Sequence, residues 1–416
     1  MNIKGVLKIM GPGLLYAGAA IGVSHLVQST RAGSSFNFDL LWVLIFANLV
    51  KYPFFDYGTR YATATGNSLI EGYAKIGRWA VDLFTVLTVV SMFVIEVAIT
   101  VVTAGLFSFI FNIHINTTVL AAFLLLLSII ILAVGKYSML DRLMKTIIIL
   151  LSVTTVVAVF AALDIPKEIN PEFITRFNFS NKANIFFLIA FVGWMPAPID
   201  VSVWTSLWNV EKAKELGYRP KLKEALAEFR FGYVGTAILA IGFLSLGALV
   251  MFGTGEKLSP NGTVFAQQLI NMYTKSIGNW SYWIISIAAF TTMYSTTITV
   301  LDAYARVLTP LYSFYFPKSK AQNTNRMNNV WLFVIFGGTL AIILFFAKSM
   351  RSMVDLATTL SFVFSPALAW INYKTVTSNH FPEEARPGSL LKILSWIGIV
   401  FFTVFTLIYL VWRFFL

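Results

Sequence analysis

Five ionisable residues interrupt stretches that are otherwise almost wholly apolar: Lys51, Asp56, Glu96, Asp200 and Asp302. A charge in hydrocarbon is costly, so each marks a polar pathway or a buried ion pair. Lys51 is the most unusual, because a buried ammonium needs a carboxylate partner or must lose its proton. Glu96, Asp200 and Asp302 are the partners the sequence offers it. Lys51 then stands in for a coupling cation, repels metals from a cavity, or closes a structural ion pair. Asp56 is expected nearer an interface, and Asp82, Asp141 and Asp355 at solvated span ends. Arg31 is expected among the lipid headgroups.

A second group carries softer donors. The thioether of Met195 and the imidazole of His25, with Ser24 Oγ beside it, are the candidates for holding a transition metal. Without a neighbouring carboxylate to replace the hydration of a divalent ion, such a site is weak. Gly18, Gly22 and Ser24 also let a ligand approach the backbone closely, and N–H groups freed at a helix break favour an anion. A pocket of Gly22, Ser24, Ala197 and Asp200, with Trp194 and Trp204, suits a small zwitterionic or organic solute better than Mn²⁺.

Other chemistries find no support. The chain has no cysteine and three histidines, His25, His114 and His380, so thiolate sites and cysteine nucleophiles are excluded. No phosphate-binding loop, HExxH or spaced Ser, His and Asp set occurs, which argues against an ATP-driven pump and against an intramembrane enzyme. Nothing calls for a cofactor.

The elements that position these residues follow from composition. Hydrophobic residues make up 57% of the 416 and charged residues 12%, about half the charged share of a soluble protein. The net charge of +12 lies in short loops between apolar runs, a pattern of membrane topology and not of nucleic-acid binding. Apolar runs near 10–32, 38–60, 80–111, 116–135, 140–163, 183–208, 230–253, 280–310, 329–347, 352–374 and 390–415 predict eleven membrane-spanning helices. Basic loop 209–229 marks the cytoplasmic side. The N-terminus is then inside, the first span is retained, and the C-terminus with Arg413 is outside. The bilayer is the expected surrounding, that of a bacterial cytoplasmic membrane.

Two spans are broken at corresponding places. Span one contains GAAIGVS, Gly18 to Ser24, and span six contains GWMPAPID, Gly193 to Asp200. Pro196 and Pro198 each remove a donor and clash with the preceding turn. Paired breaks of this kind point to a transporter binding site, although kinks also arise from packing alone. The hydroxyl run Thr291–Thr299 of span eight serves either that cavity, a sodium ion, or packing.

The order and spacing of Gly11-Pro-Gly-Leu-Leu15, Ala32-Gly33, Leu40-Leu-Trp42, Ala47-Asn-Leu49 and Arg60…Ala64-Thr-Gly66 resemble the opening of the NRAMP family, proton-coupled importers of manganese and iron. The similarity continues through Glu96, Met195-Pro196 and Ser295-Thr-Thr-Ile-Thr299, and covers most of the chain. The resemblance implies an all-α, polytopic membrane protein with the leucine-transporter-type fold. That is one transporter domain, 1–416, with two inverted five-helix repeats, 10–165 and 183–375, and an eleventh helix, 390–415. Where the family has Asp-Pro-Gly-Asn in span one, this chain has Gly22, Val23, Ser24 and His25. Where it has Met-Pro-His in span six, Ala197 replaces the histidine. Phe93 replaces an aspartate three residues before Glu96. The expectation is a secondary active transporter that alternates access around spans one and six. It would move a metal or other cation with selectivity altered from Mn/Fe, coupled to H⁺ or Na⁺. A transporter of a small zwitterionic or organic solute, and a non-transporting sensor, stay open.

Overall fold

The computed structural model describes residues 11–133, 137–166, 169–317, 324–346 and 349–414. Span one begins with α1, Pro12–Ala20, whose proline sits at the helix start, where a missing N–H costs nothing. The helix stops at Ala20. After a short irregular segment the chain resumes as a π-helical turn, Ser24–Ser29, and then α2, Thr30–Phe36. The second span is α3, Leu41–Thr65. It ends on Gly66, whose φ of 75° is the left-handed conformation that glycine supplies at a helix C-terminus.

The remaining first-half helices are α4 (Leu69–Ile76), α5 (Arg78–Ile110), α6 (Thr117–Ala133) and α7 (Tyr137–Ala162). Span six is likewise divided into α8 (Lys182–Trp194) and α9 (Val201–Leu216), with Met195 to Asp200 between them. Then come α10 (Leu222–Val250), α11 (Gly262–Ile277), α12 (Tyr282–Tyr315), α13 (Thr324–Phe346), α14 (Met350–Thr377) and α15 (Ser389–Phe414). No strand occurs among the described residues. Among the described residues six helices, within α5, α10, α12, α13, α14 and α15, are long and apolar enough to cross a membrane. Their outward faces carry exposed apolar groups such as Phe345, Leu390, Val404 and Leu407, which lipid tolerates and water would not.

Two boundaries differ from the sequence expectation. Residues 209–229 are almost wholly helical, because strong helix formers, Ala213 to Leu216 and Lys223 to Phe229, extend α9 and α10 toward each other. Gly217, at φ 73°, and Pro220 turn the chain between them. The sequence reading also passed over α4 and α11, which are too short to span a bilayer. Each is started by a side-chain cap, Ser68 with Glu71 for α4 and Asn261 for α11.

Glycines set the closest helix crossings. A β-carbon at Gly33 of α2 would lie 1.9 Å from Leu244 O of α10, and one at Gly247 of α10 would lie 2.3 Å from Thr30 O. The second half of span one therefore rests directly on span seven. The second half of span six, α9, packs in the same way on α3 of span two. Small residues are what allow such approach between membrane helices.

Candidate functional site

The interruption of span one is held by span eight. Thr296 Oγ1 of α12 lies 3.2 Å from Gly18 O, 3.3 Å from Ile21 O and 3.0 Å from Thr292 O, so its single hydrogen faces three acceptors. Gly22 packs against this threonine: a β-carbon there would stand 2.9 Å from Thr296 Oγ1. Beside this contact lies a cavity of about 20 Å³ lined by Ala19, Ser24, Ile95, Trp194, Trp204 and Thr296 among others. Ala197, Pro198 and Val201 bring the interruption of span six to the same space. Ser24 and Thr296 supply its hydroxyls, and the rest of the lining carries no charged side chain.

His25 points elsewhere. It is fully buried, its Nε2 donates to Thr236 O of α10 at 2.9 Å, and its Nδ1 lies 2.7 Å from Ser24 Oγ. Ser24 Oγ is also 2.6 Å from Ala20 O, so one hydroxyl hydrogen serves two acceptors. Both imidazole nitrogens are thus committed to protein partners. Met195 is buried at the end of α8 and does not line the cavity. The structure does not bring His25 and Met195 together on this space, and among the described residues no three His, Asp or Glu side chains converge.

Span six carries the least expected arrangement. Lys51 is fully buried, and its Nζ donates to Val192 O and Gly193 O at 2.7 Å and to Ala197 O at 3.0 Å. Among the described residues no carboxylate is within ion-pair distance, contrary to the expected pairing with Glu96, Asp200 or Asp302. Carbonyls of a broken helix are good partners for an ammonium, and they have no side-chain signature in a sequence. Asp200 instead accepts from Tyr304 OH at 3.1 Å through Oδ2, while its Oδ1 is buried without a partner. Asp200 lines a second small cavity, with Ser91 and Ser361 on the far side of Pro198. Glu96 is buried on α5, where Thr100 donates to Oε1 at 3.3 Å and Oε2 lacks a partner. Asp302 lies apart, paired with Arg306 at 2.6 Å and partly exposed.

Polar contacts tie span one to its neighbours near both of its ends. At one end Arg31 pairs with Asp355 of α14 at 2.6 Å and lies 5.0 Å over the Phe187 ring. Its side chain is only 13% exposed, so it ties spans together and is not the headgroup anchor expected from sequence. At the other end the Glu228 carboxylate of α10 accepts from Gly11 N and Gly13 N, at 2.8 to 3.0 Å. This anion caps the first turn of α1, where the helix dipole favours it. A polar junction that sequence reasoning missed is Asn372 of α14. It accepts from Tyr73 OH and donates to Ser202 Oγ at 2.8 Å, joining α4 and α9 to α14.

Residues 13–413 match the family model described as natural resistance-associated macrophage protein-like. The chain belongs to the Nramp family. It is 36% identical over 403 residues to the uncharacterized protein PM0681 of Pasteurella multocida, an alignment covering 96% of this chain and 91% of that one. Its fold is similar to that of the Eremococcus coleocola manganese transporter, with a TM-score of 0.68, 12% identity and coverage of 97% and 86%. It is also similar to MhsT in complex with L-phenylalanine, with a TM-score of 0.60, 13% identity and coverage of 95% and 97%. These likenesses establish the leucine-transporter-type fold expected from the sequence. Nramp proteins are integral membrane transporters and not enzymes. In this Nramp chain, of the four residues Gly22, Val23, Ser24 and His25, Val23 and Ser24 line the cavity.

Proposed function

We propose that the protein is a secondary active transporter that alternates access to the cavity between the interruptions of spans one and six. Its substrate is a metal or other cation, with selectivity altered from Mn/Fe. The family supports the cation, and one observation supports the altered selectivity: the cavity offers the hydroxyl-bearing residues Ser24 and Thr296 but no carboxylate. Mn²⁺ and Fe²⁺ retain much of their hydration unless anionic or strongly donating ligands replace it. Oxygen ligands without formal charge suit an ion of lower charge density. Glu96 and Asp200, each buried with an unpartnered oxygen, are the groups we assign to coupling with H⁺ or Na⁺.

A second reading rests on the lining itself. Ile95, Ile99, Trp194, Trp204 and Val300 present apolar surface, which fits the side chain of a small zwitterionic or organic solute. Proteoliposome uptake separates the readings. Influx of Mn²⁺ and of other cations is read by entrapped dyes, and uptake of radiolabelled amino acids is read in parallel. The proposal expects saturable flux of another cation and none of Mn²⁺. Saturable Mn²⁺ influx would overturn the altered selectivity, and solute uptake without cation substrate flux would establish the second reading.

A further inference from the structure

The environment of Lys51 is that of a bound ion. Three ammonium hydrogens meet three carbonyl oxygens, those of Val192, Gly193 and Ala197, at 2.7, 2.7 and 3.0 Å. Val192 and Gly193 belong to the last turn of α8, where the dipole is negative and carbonyls lack their usual i+4 donors; Val192 O also accepts from Met195 N at 3.3 Å. Ala197 lies inside the interruption itself. The Phe402 ring of α15 covers another side, with Nζ 5.9 Å from its centroid, a distance at which a ring face attracts a cation. The whole side chain is sealed from solvent.

These distances and donors select a class of ligand. Neutral carbonyls nearly 3 Å away are the setting of a monovalent cation of ammonium or potassium size. Divalent ions need shorter bonds and charged or strongly donating ligands. A lysine chain running from α3 delivers such a charge without a diffusible ion. We propose that the carbonyl oxygens of Val192, Gly193 and Ala197 form a monovalent-cation site that the chain fills with its own Lys51 ammonium. The interruption of span six is thereby held by a tethered cation, whatever the transported substrate is.

The test is chemical rescue in the full-length purified protein. Thermal unfolding of native protein, Lys51→Ala and Lys51→Met is followed at constant ionic strength while choline chloride is exchanged for potassium, ammonium, methylammonium or ethylammonium chloride. Lys51→Ala empties the site, so its melting temperature should fall by several degrees. It should then rise saturably with one or more of the smaller cations, as linkage requires of a ligand that binds only the folded state. Lys51→Met keeps the reach without the charge, and it should melt low in every salt. A Lys51→Ala protein recovered only when one of these cations is present during extraction also supports the proposal. A Lys51→Met protein as stable as native overturns it, including where Lys51→Ala cannot be recovered at all. A folded Lys51→Ala protein that responds to none of the cations overturns it as well.

Discussion

At the residue scale, the chemistry turns on where side chains aim, and a sequence carries that unevenly. Lys51 is conspicuous in the sequence because no apolar helix tolerates an ammonium without a partner. Its actual partners were hidden, since main-chain carbonyls become available only after the prolines of span six end α8. His25 shows the converse. Its position beside Ser24 in a broken helix marks it as a ligand candidate, yet the π-helical turn swings the ring toward Thr236 O. We therefore expect His25→Ala to lower the melting temperature, because Thr236 O loses a buried hydrogen bond worth about 1 kcal/mol or more. Any substrate-induced rise in melting temperature should survive, since the ring is not in the cavity. Loss of that rise with native stability intact would return His25 to the substrate site.

At the element scale, the breaks are legible because proline and glycine have fixed backbone consequences, whereas helix crossings are not. Gly193 reads simply as a small residue before Trp194, but a β-carbon there would sit 2.0 Å from Thr358 O of α14. Gly193→Ala should push α8 from α14 at a cost of about 1–3 kcal/mol, as overpacking does, and should lower both melting temperature and uptake. An unchanged melting temperature would mean that the two helices separate freely. Glu228 reads as one acid in a basic loop, and only the approach of α10 to α1 makes it a cap. Glu228→Gln retains an acceptor but loses the charge. It should loosen the first turn of α1, seen as faster amide hydrogen exchange there, and exchange rates equal to native would contradict the cap. The short helices α4 and α11 escaped the sequence reading because a search for bilayer-length runs cannot register an eight- or sixteen-residue amphipathic helix.

At the scale of the whole molecule, the all-helical membrane class and the order of spans follow from apolar run lengths and loop charges. The fold itself was legible only through spaced motifs, which begin in the first two spans and continue through Glu96, Met195-Pro196 and Ser295–Thr299. Access to the cavity could not be read from sequence, because the ion pair and cap at the two ends of span one join residues hundreds of positions apart. A chain without cysteine gives a clean background for watching it open. Ser24→Cys, at 3% exposure, should react with a membrane-impermeant maleimide only when one end of the bundle opens, and substrate should protect it. Simultaneous reaction from both sides would describe a channel and not a carrier.

The polar ties at the two ends differ in kind. The end at Asp355 is joined by ion pairs that water can reach, Arg31 with Asp355 and Arg176 with Asp39, whose side chains range from 13% to 74% exposed. The opposite end is joined by a carboxylate bonded to main-chain N–H groups and by the buried Arg60, which donates to Ala385 O at 3.0 Å and pairs with Asp56 on its own helix. Dissolved salt screens exposed charges over a Debye length of about 8 Å at physiological ionic strength and far less effectively screens buried ones. Ionic strength should therefore act as a lopsided lever on this protein. Concentrated salt would loosen the Asp355 end while leaving the α1 end shut, and dilution would tighten the first without touching the second.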